Sequence, residues 1–586
     1  MRTGILAALA AAIGLISCGD RSDSATSTHP EADVSSSSGH PASLVLELVS
    51  GSENEAVLSR LDANGKVVKD GKYPASSDLI AAWERANDTR IQVTYKGSID
   101  IMHSIEAGPA CEYDAVWPAS SMVIALGNET THVVKDAKSI FQSPVVLAVE
   151  RETATQLGWL AAGKAKTISA TDFLEAAEAR RLKFGMTSAT RSNSGASAFI
   201  AFLYAFSGQP DVLTQQHLEN AETASKVKRV FKAQSRSAGS SGWLKTAYLE
   251  GVAKGEPPFN AMINYESLII EANQELARTG KQPLQIFYLS DALCVADSPL
   301  GYVDKGDARK KAAFASLQQY LLTDDVQAKL VRQGRRPGKF GATLAGADPA
   351  VWNADWGIDI AAVLSPITMP EAPVIRSALE LYMTVLRKPS YTVYVLDYSG
   401  SMRKDLDGEG ERQLKEGMKL VLQTDLARQN MLTLGPNDVT VVIPFDETPR
   451  VTADQIEAWT VRGNSPANLA KLLLQVTDAE PGGGTNMYAP TLLALETIDK
   501  LGERVRDFNV MVVVMSDGIS NSGSVQELKE QVERKGVDND VPVYTVLFGK
   551  AEDGQMKQLA AAFSGRMFDG RKSLAQTFQE VQGYNR

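Results

Sequence analysis

Asp397, Ser399 and Ser401 stand at two-residue steps at the end of an apolar run, YTVYVLDYSGSM, residues 391–402. Two further segments put oxygen-bearing side chains in comparable places. PGGGTNMYAP offers Thr485 on a glycine-rich loop before a helix, and VVVMSDGISNSG offers Asp517 after a buried strand. The set is two carboxylates and three hydroxyls, all hard oxygen donors, with no thiolate or histidine nearby in sequence. That chemistry suits Mg²⁺, which prefers octahedral oxygen, few carboxylates and retained water. Mn²⁺ and Ca²⁺ are the alternatives. Two carboxylates roughly neutralise a divalent ion, which keeps enough Lewis acidity to attract an outside acidic group. Asp-x-Ser-x-Ser alone is a weak signal; its order with Thr485 and Asp517 at strand ends gives it weight.

The elements around these residues must bring them together. YTVYVLD, VTVVIPFD, NVMVVVMSD and VPVYTVLFG read as near-continuous apolar strands, buried on both faces, with helices between them. Ligands of such open sheets bind at the carboxyl ends of the strands. Upstream, from Leu44, strands and helices also alternate: LVLELVSGSENE, LIAAWERAN, IQVTYKGSID, YDAVWPASS, SPVVLAVE and RLKFGMTS, with Asn64-Gly65 as a hairpin turn. The pattern implies layered α/β domains with mostly parallel sheets. Residues 346–389 form a proline-containing connector with one apolar-periodic helix, VIRSALELYMTVLRK.

The chain has 586 residues and a net charge of -10, which disfavours a general affinity for nucleic acid. Arg2 and the apolar run Gly4–Ile16 read as a secretory signal peptide over residues 1–17, too short to span a bilayer as a helix. The run ends in Leu-Ile-Ser-Cys, which resembles the bacterial lipoprotein box. That resemblance implies cleavage before Cys18, lipidation of its thiol and a membrane anchor; an ordinary signal peptide with a chance cysteine is the other reading. Residues 18–43, rich in Ser, Thr, Pro and Asp, read as a disordered tether. Export implies an oxidising compartment, where Cys111 and Cys294 either pair or stay separately buried. The histidines, 29, 40, 103, 132 and 217, show no metal-ligand spacing, and no nucleophile elbow or phosphate-cradling loop is present. The chain is therefore not expected to be an enzyme.

Residues 390–586 resemble a von Willebrand factor type A domain. Asp397, Ser399, Ser401, Thr485 and Asp517 match the metal-ion-dependent adhesion site of that family residue by residue. The resemblance implies a doubly wound, Rossmann-like, mainly parallel sheet. It also implies a metal that leaves one coordination position for a carboxylate from a protein partner.

Residues 44–345 resemble bacterial extracellular solute-binding proteins through VSGSENEAV, YKGSIDIMHSIEAG, YDAVWPASS, TSATRSNSGASAF, INYESLIIEAN and ADSPLGYV. This resemblance implies a periplasmic-binding-protein-like domain of two α/β lobes flanking a cleft. One lobe spans about 44–138 plus 285–345, and the other about 139–284. Ser50, Gly51, Ser52, Gly97, Ser98, Ser192, Asn193 and Ser194 end strands or begin helices, where free N–H groups and hydroxyls favour a small polar or anionic ligand. The same residue types also serve as caps and turns. Tyr265 and Glu266 are read as ligand or lobe-closing residues, or else as a plain helix start. Residues 58–77 read as an insertion that reshapes the cleft rim. The expected protein is a membrane-anchored lipoprotein of the bacterial envelope, facing the periplasm or exterior. It binds a small ligand in the cleft and an acidic protein partner at the metal. The alternative is a receptor that delivers solute to a membrane transporter.

Overall fold

A computed structural model describes residues 43–62, 66–338, 344, 347–360, 364–403, 409–430, 432–538, 540–549, 553–571 and 574–583. The signal peptide, Cys18, nearly all of the tether and the Asn64-Gly65 turn lie outside these residues. Among the described residues no helix is long and apolar enough to cross a membrane.

Three sheets organise the chain. The first has the strand order Thr89–Tyr95, Leu44–Ser50, Ala115–Trp117, Pro299–Val303, Val134–Ser139. Its first three strands are parallel, and Pro299–Val303 runs antiparallel to both of its neighbours. The second sheet has the order Arg236–Ala238, Phe184–Thr187, Ala261–Tyr265, Phe141–Val149, Gln285–Phe287, with Val295–Ala296 and Arg336–Pro337 also paired to Phe141–Val149. That long strand is apolar almost throughout and buried at every position except Gln142, as expected for a strand covered on both faces.

The chain crosses between these sheets where Val134–Ser139 runs on into Phe141–Val149, and again where Val295–Ala296 leads into Pro299–Val303. Ile140 N–H bonds the Ser298 carbonyl at 3.2 Å and ties the two crossings together. The expected lobe boundary at 285 is therefore corrected. Gln285–Phe287 and Val295–Ala296 pair with Phe141–Val149 in the second sheet, and the return to the first sheet comes at 299. A short apolar strand carries no mark of which sheet it joins.

The third sheet has the order Thr460–Arg462, Val439–Phe445, Ser390–Asp397, Asn509–Ser516, Val543–Leu547, Met567–Asp569. All its pairings are parallel except that of the edge strand Thr460–Arg462. Every residue of Ser390–Asp397 is buried. Val393 and Val395 enter one core, while Tyr394 and Leu396 enter the other. This is the period of two that a strand between two helical layers requires. The order reverses between Ser390–Asp397 and Asn509–Ser516, and crevices open at such switch points.

A connector helix, Ala372–Leu381, continues into a π-helical turn, Tyr382–Leu386, and then enters the third sheet. Tyr382 packs against Phe199 and Phe231 at centroid distances of 5.4 and 4.9 Å. Arg376 reaches Glu106 and Glu129 at 3.0 and 2.9 Å. Arg387 pairs with buried Asp438, which also accepts the N–H groups of Ser390 and Gly435, each at 2.7 Å.

Candidate functional site

Two groups of polar side chains meet in space. The first gathers at the carboxyl ends of the third sheet. Asp397 ends the central strand with no solvent exposure. Its Oδ1 accepts the N–H of Ser399 at 2.7 Å, and its Oδ2 accepts the Ser516 hydroxyl at 2.5 Å. The Ser399 and Ser401 hydroxyls lie 3.1 Å apart, and the Asp517 carboxylate is hydrogen-bonded to Ser401.

Thr485 joins this group through its main chain. Its N–H bonds Asn521 Oδ1 at 3.0 Å, and its carbonyl accepts from Asn521 N–H and from the Ser520 hydroxyl at 2.8 and 3.1 Å. The preceding loop is bound to the serine turn, with Gly400 N–H on the Gly483 carbonyl at 3.0 Å and Gly482 N–H on the Tyr398 carbonyl at 2.7 Å. Gly483 has φ +80°, a conformation that suits glycine and turns the loop toward the serines. Ser516, Ser520 and Asn521 were not singled out from sequence. Their position beside Asp517, in SDGISN, was the available signal.

Burial pushes the Asp397 carboxyl up to about 6, against the pull of the Ser399 and Ser516 hydrogen bonds, and the nearby Asp517 adds to the rise. Burial also raises Asp517, against its bond to Ser401. Two carboxylates sharing one desolvated crevice disfavour each other's charge, and a divalent cation reverses that balance. Among the described residues no group of three or more His, Cys, Asp and Glu side chains is placed to hold a metal ion. A metal held here would take most of its protein ligands from hydroxyls, which fits a hard ion such as Mg²⁺.

The second group lies between the first and second sheets. Ser50, at the end of Leu44–Ser50, is wholly buried; its hydroxyl donates to the Trp117 carbonyl at 2.8 Å and accepts from Asn54 Nδ2 at 2.9 Å. Gly51 and Ser52 follow, and Ser52 faces Gly242 on the helix Ser241–Lys254 of the other side. Gly97 lies against the main-chain oxygen of Arg191. The Ser98 hydroxyl accepts the N–H of Asn193 at 3.1 Å, a bond that spans the two walls. Asn193 Nδ2 then donates to the Tyr265 hydroxyl at 3.0 Å. Ser192 and Ser194 each bond Ser241, at 2.9 and 2.7 Å. A cavity of about 10 Å³ opens beside them, lined on one side by Ser98 and Met102 and on the other by Arg191 and Asn193.

One expectation is corrected, for Glu266, and the open alternative for Cys111 and Cys294 is decided in favour of separately buried thiols. Glu266 is not available to a ligand. Its two oxygens accept from Arg336 Nε and Nη2 at 2.7 and 2.8 Å, and the Tyr288 hydroxyl also donates to it. Arg336 belongs to the strand that pairs with Phe141–Gln142 beside the crossing, so the pair secures the hinge region. Cys111 and Cys294 form no disulfide; both are free and buried. Cys294 precedes a strand of the second sheet and donates to the Ser197 carbonyl at 3.1 Å, whereas Cys111 lies beside the first sheet. Burial pushes the Cys294 thiol up to about 12.

Glu53, Asn54, Arg191 and Ser241 complete the cleft and were not singled out from sequence. Glu53 and Asn54 lay within the quoted VSGSENEAV, but nothing in that string shows that their side chains turn inward.

Residues 67–336 match the sequence profile of the family described as bacterial extracellular solute-binding protein. A comparison with curated proteins found no match. Solved structures similar to parts of the chain include the sulfate-binding protein SubI from Mycobacterium tuberculosis H37Rv, at 17% identity, covering 57% of this chain and 96% of that one with a TM-score of 0.37. Iron-bound HitA from Pseudomonas aeruginosa is 15% identical, covering 58% and 98% with a TM-score of 0.38. The von Willebrand factor type A structure from Catenulispora acidiphila is 20% identical, covering 34% and 43% with a TM-score of 0.28.

Proposed function

We propose that the chain is an extracytoplasmic solute receptor that captures a small polar solute between its first and second sheets and presents it to a membrane transporter. The match of residues 67–336 to solute-binding proteins supports this reading. The observation that carries it is the relay from Ser98 through Asn193 to Tyr265, in which both walls contribute to one polar cluster. Such a cluster gains its full set of bonds only when the walls close, so a solute between them couples binding to closure. Cys18 serves as the lipid anchor and the tether holds the receptor at the envelope surface.

The third sheet adds a second function, metal-dependent docking of a protein through an acidic side chain. The convergence of Asp397, Ser399, Ser401 and Asp517 favours it. In this reading the region is a von Willebrand factor type A domain, and Thr485 contributes the fifth oxygen to Mg²⁺.

The test has two arms. A solute that raises the melting temperature without Mg²⁺, with the rise lost in Asn193→Ala, supports the receptor; failure of every solute class to shift it removes that reading. Capture of an envelope protein that disappears with chelator and in Asp397→Ala supports docking. Capture that survives both removes the second function.

A further inference from the structure

A second cavity lies where the connector joins the second and third sheets. The strand Phe184–Thr187 ends in a turn, with Arg191 N–H on the Ser188 carbonyl at 3.1 Å, and the turn leads into the cleft residues Ser192 and Asn193. Arg191 lines both the small cavity of the cleft and this other one, of about 40 Å³. Ser188, Arg191 and Ser237 border it from the second sheet's side, Arg387 from the connector, and Thr433 and Asn509 from the third sheet's side. Asn509 and Ser390, which also borders the space, begin the two central strands of the third sheet. The cavity is therefore at the opposite end of that sheet from Asp397. Such a volume holds about three water molecules, or one small ion of a few heavy atoms.

The charge on its lining has one sign. Arg191 and Arg387 border it, and among the described residues no carboxylate does. Both guanidiniums face the Tyr382 hydroxyl, another lining group. Burial raises the pKa of that hydroxyl, its bond to Ser188 opposes the rise, and Arg387 and Arg191 oppose it further. Two carboxylates stand behind the guanidiniums. Asp438 accepts two N–H bonds from Arg387, but it also serves the N–H groups of Ser390 and Gly435. Asp100 lies near Arg191, and burial pushes it toward its neutral form. Arg387 gives one more bond, to the Lys388 carbonyl at 3.2 Å, whereas a guanidinium carries five N–H groups. Neutral donors add to the set. Thr433 Oγ1 is buried with no hydrogen-bond partner in the protein, and Asn509 Nδ2 reaches the Lys388 carbonyl only at 3.5 Å. A buried hydroxyl left unserved is costly, and in native proteins it calls for water or a ligand.

We propose that this junction cavity binds a small oxyanion of the phosphate or sulfate kind, held by the Arg191 and Arg387 guanidiniums and the Thr433 hydroxyl. The site lies outside the cleft and does not depend on the receptor reading above. A tetrahedral oxyanion offers several acceptors in a compact volume, and the planar fork of arginine suits it. A cation would meet two like charges there. Water would satisfy Thr433 but would leave the guanidinium charge without an answer. An anion in this place touches the wall of the second sheet, the connector and the first residues of the third sheet together, so its binding stabilises the junction between them.

Calorimetric titration of the full chain with potassium phosphate and potassium sulfate tests this, without Mg²⁺ and against potassium chloride at matched ionic strength. The expected result is binding of phosphate or sulfate that survives Asn193→Ala and raises the melting temperature. Thr433→Val keeps the shape of the side chain and loses its hydroxyl, and it weakens the anion about 10-fold or more. The paired change Arg387→Gln with Asp438→Asn removes both charges, leaves an acceptor for the N–H groups of Ser390 and Gly435, and abolishes binding. Thermal melts establish that the variants fold, and Thr433→Val decides alone where the paired variant does not. Binding that Asn193→Ala removes entirely belongs to the cleft; it overturns the proposal and leaves the receptor standing. Binding that Thr433→Val leaves intact overturns it as well, and so does a response no greater than that to chloride.

Discussion

The Asp397 group and the cleft are both built largely from short polar side chains, yet they are held together differently. Around Asp397 two of the contributing loops leave strands of one sheet and the third joins the helices Pro466–Asp478 and Tyr488–Asp499, and main-chain bonds such as Gly400 to Gly483 and Asn521 to Thr485 fix their spacing. Around Tyr265 the contributors come from two sheets joined through crossings at 139–141 and 296–299. The first geometry is tied by bonds among neighbouring loops at one sheet's edge; the second depends on how the walls stand. One-sheet sites are preorganised, and two-wall sites convert binding into motion.

The strongest way to break this contrast is to disable the hinge. Glu266 is wholly buried and Arg336 is 9% exposed, so Arg336→Ala leaves a buried carboxylate without its counter-ion. Removing one partner of such a pair costs about 3–5 kcal/mol, read as a lower denaturant midpoint. Mg²⁺ uptake below the transition is expected to persist, because among the described residues the bonds of this pair go to Tyr288 and the Asp359 carbonyl and none to the third sheet. Simultaneous loss of metal uptake at temperatures where the chain is folded would show that the two regions are one unit.

The converse experiment acts on the metal group. Asp397→Ala is expected to abolish Mg²⁺ uptake in calorimetry. Ser516→Ala, which removes only the hydroxyl bonded to Asp397 Oδ2, is expected to weaken uptake about 10–100-fold, the usual effect of losing a group that orients a metal ligand. Solute binding in the cleft should be unchanged in both. A cleft that loses affinity in Asp397→Ala would mean the sites are coupled.

The same contrast explains what could be read from sequence. Asp397 and Asp517 each close an apolar strand, and in a doubly wound sheet the strand end is itself a position in space. Local pattern therefore carried information about the site. The cleft has no such rule. Glu266 looked like a ligand residue because its partner Arg336 lies 70 residues further on. Gln285–Phe287 looked like first-lobe chain because its pairing with Phe141–Val149 is long-range. Glu53 was hidden for a simpler reason: the inward turn of its side chain depends on the absent Cβ of Gly51. The connector helix was visible from its apolar period, but the change to a π-helical turn at Tyr382 was not, since that is set by packing against Phe199 and Phe231.

Acid titration sharpens the comparison on the cleft side. Burial pushes the Glu53 carboxyl from 4.5 up to about 7, with Glu55 adding to the rise and Arg335 and its own main-chain N–H opposing it. Between these values the unfolded chain has lost the proton that the folded chain keeps. The contribution of Glu53 to stability is therefore greatest below about 4.5 and falls as pH rises toward 7. Glu53→Gln is expected to flatten that part of the profile, measured as melting temperature against pH in the absence of solute. An unchanged slope would place the Glu53 carboxylate in water and outside the cleft.

The smallest expected effect concerns the contact between the connector helix and the first wall. Arg376 bonds Glu106, Glu129 and the Leu126 carbonyl, while Tyr382, one and a half turns further along, packs on the second wall. One helical segment thus touches both sides of the cleft. The Arg376 side chain is 39% exposed, so screened ion pairs of this kind are worth about 1 kcal/mol or less, and Arg376→Ala should barely move the melting temperature. Its informative readout is solute affinity. If the closed walls draw part of their stability from this helix, the variant binds more weakly at low salt, and the difference from wild type vanishes at high ionic strength, where exposed pairs are screened. An affinity that is unchanged at every salt concentration would show that the helix follows the walls without holding them.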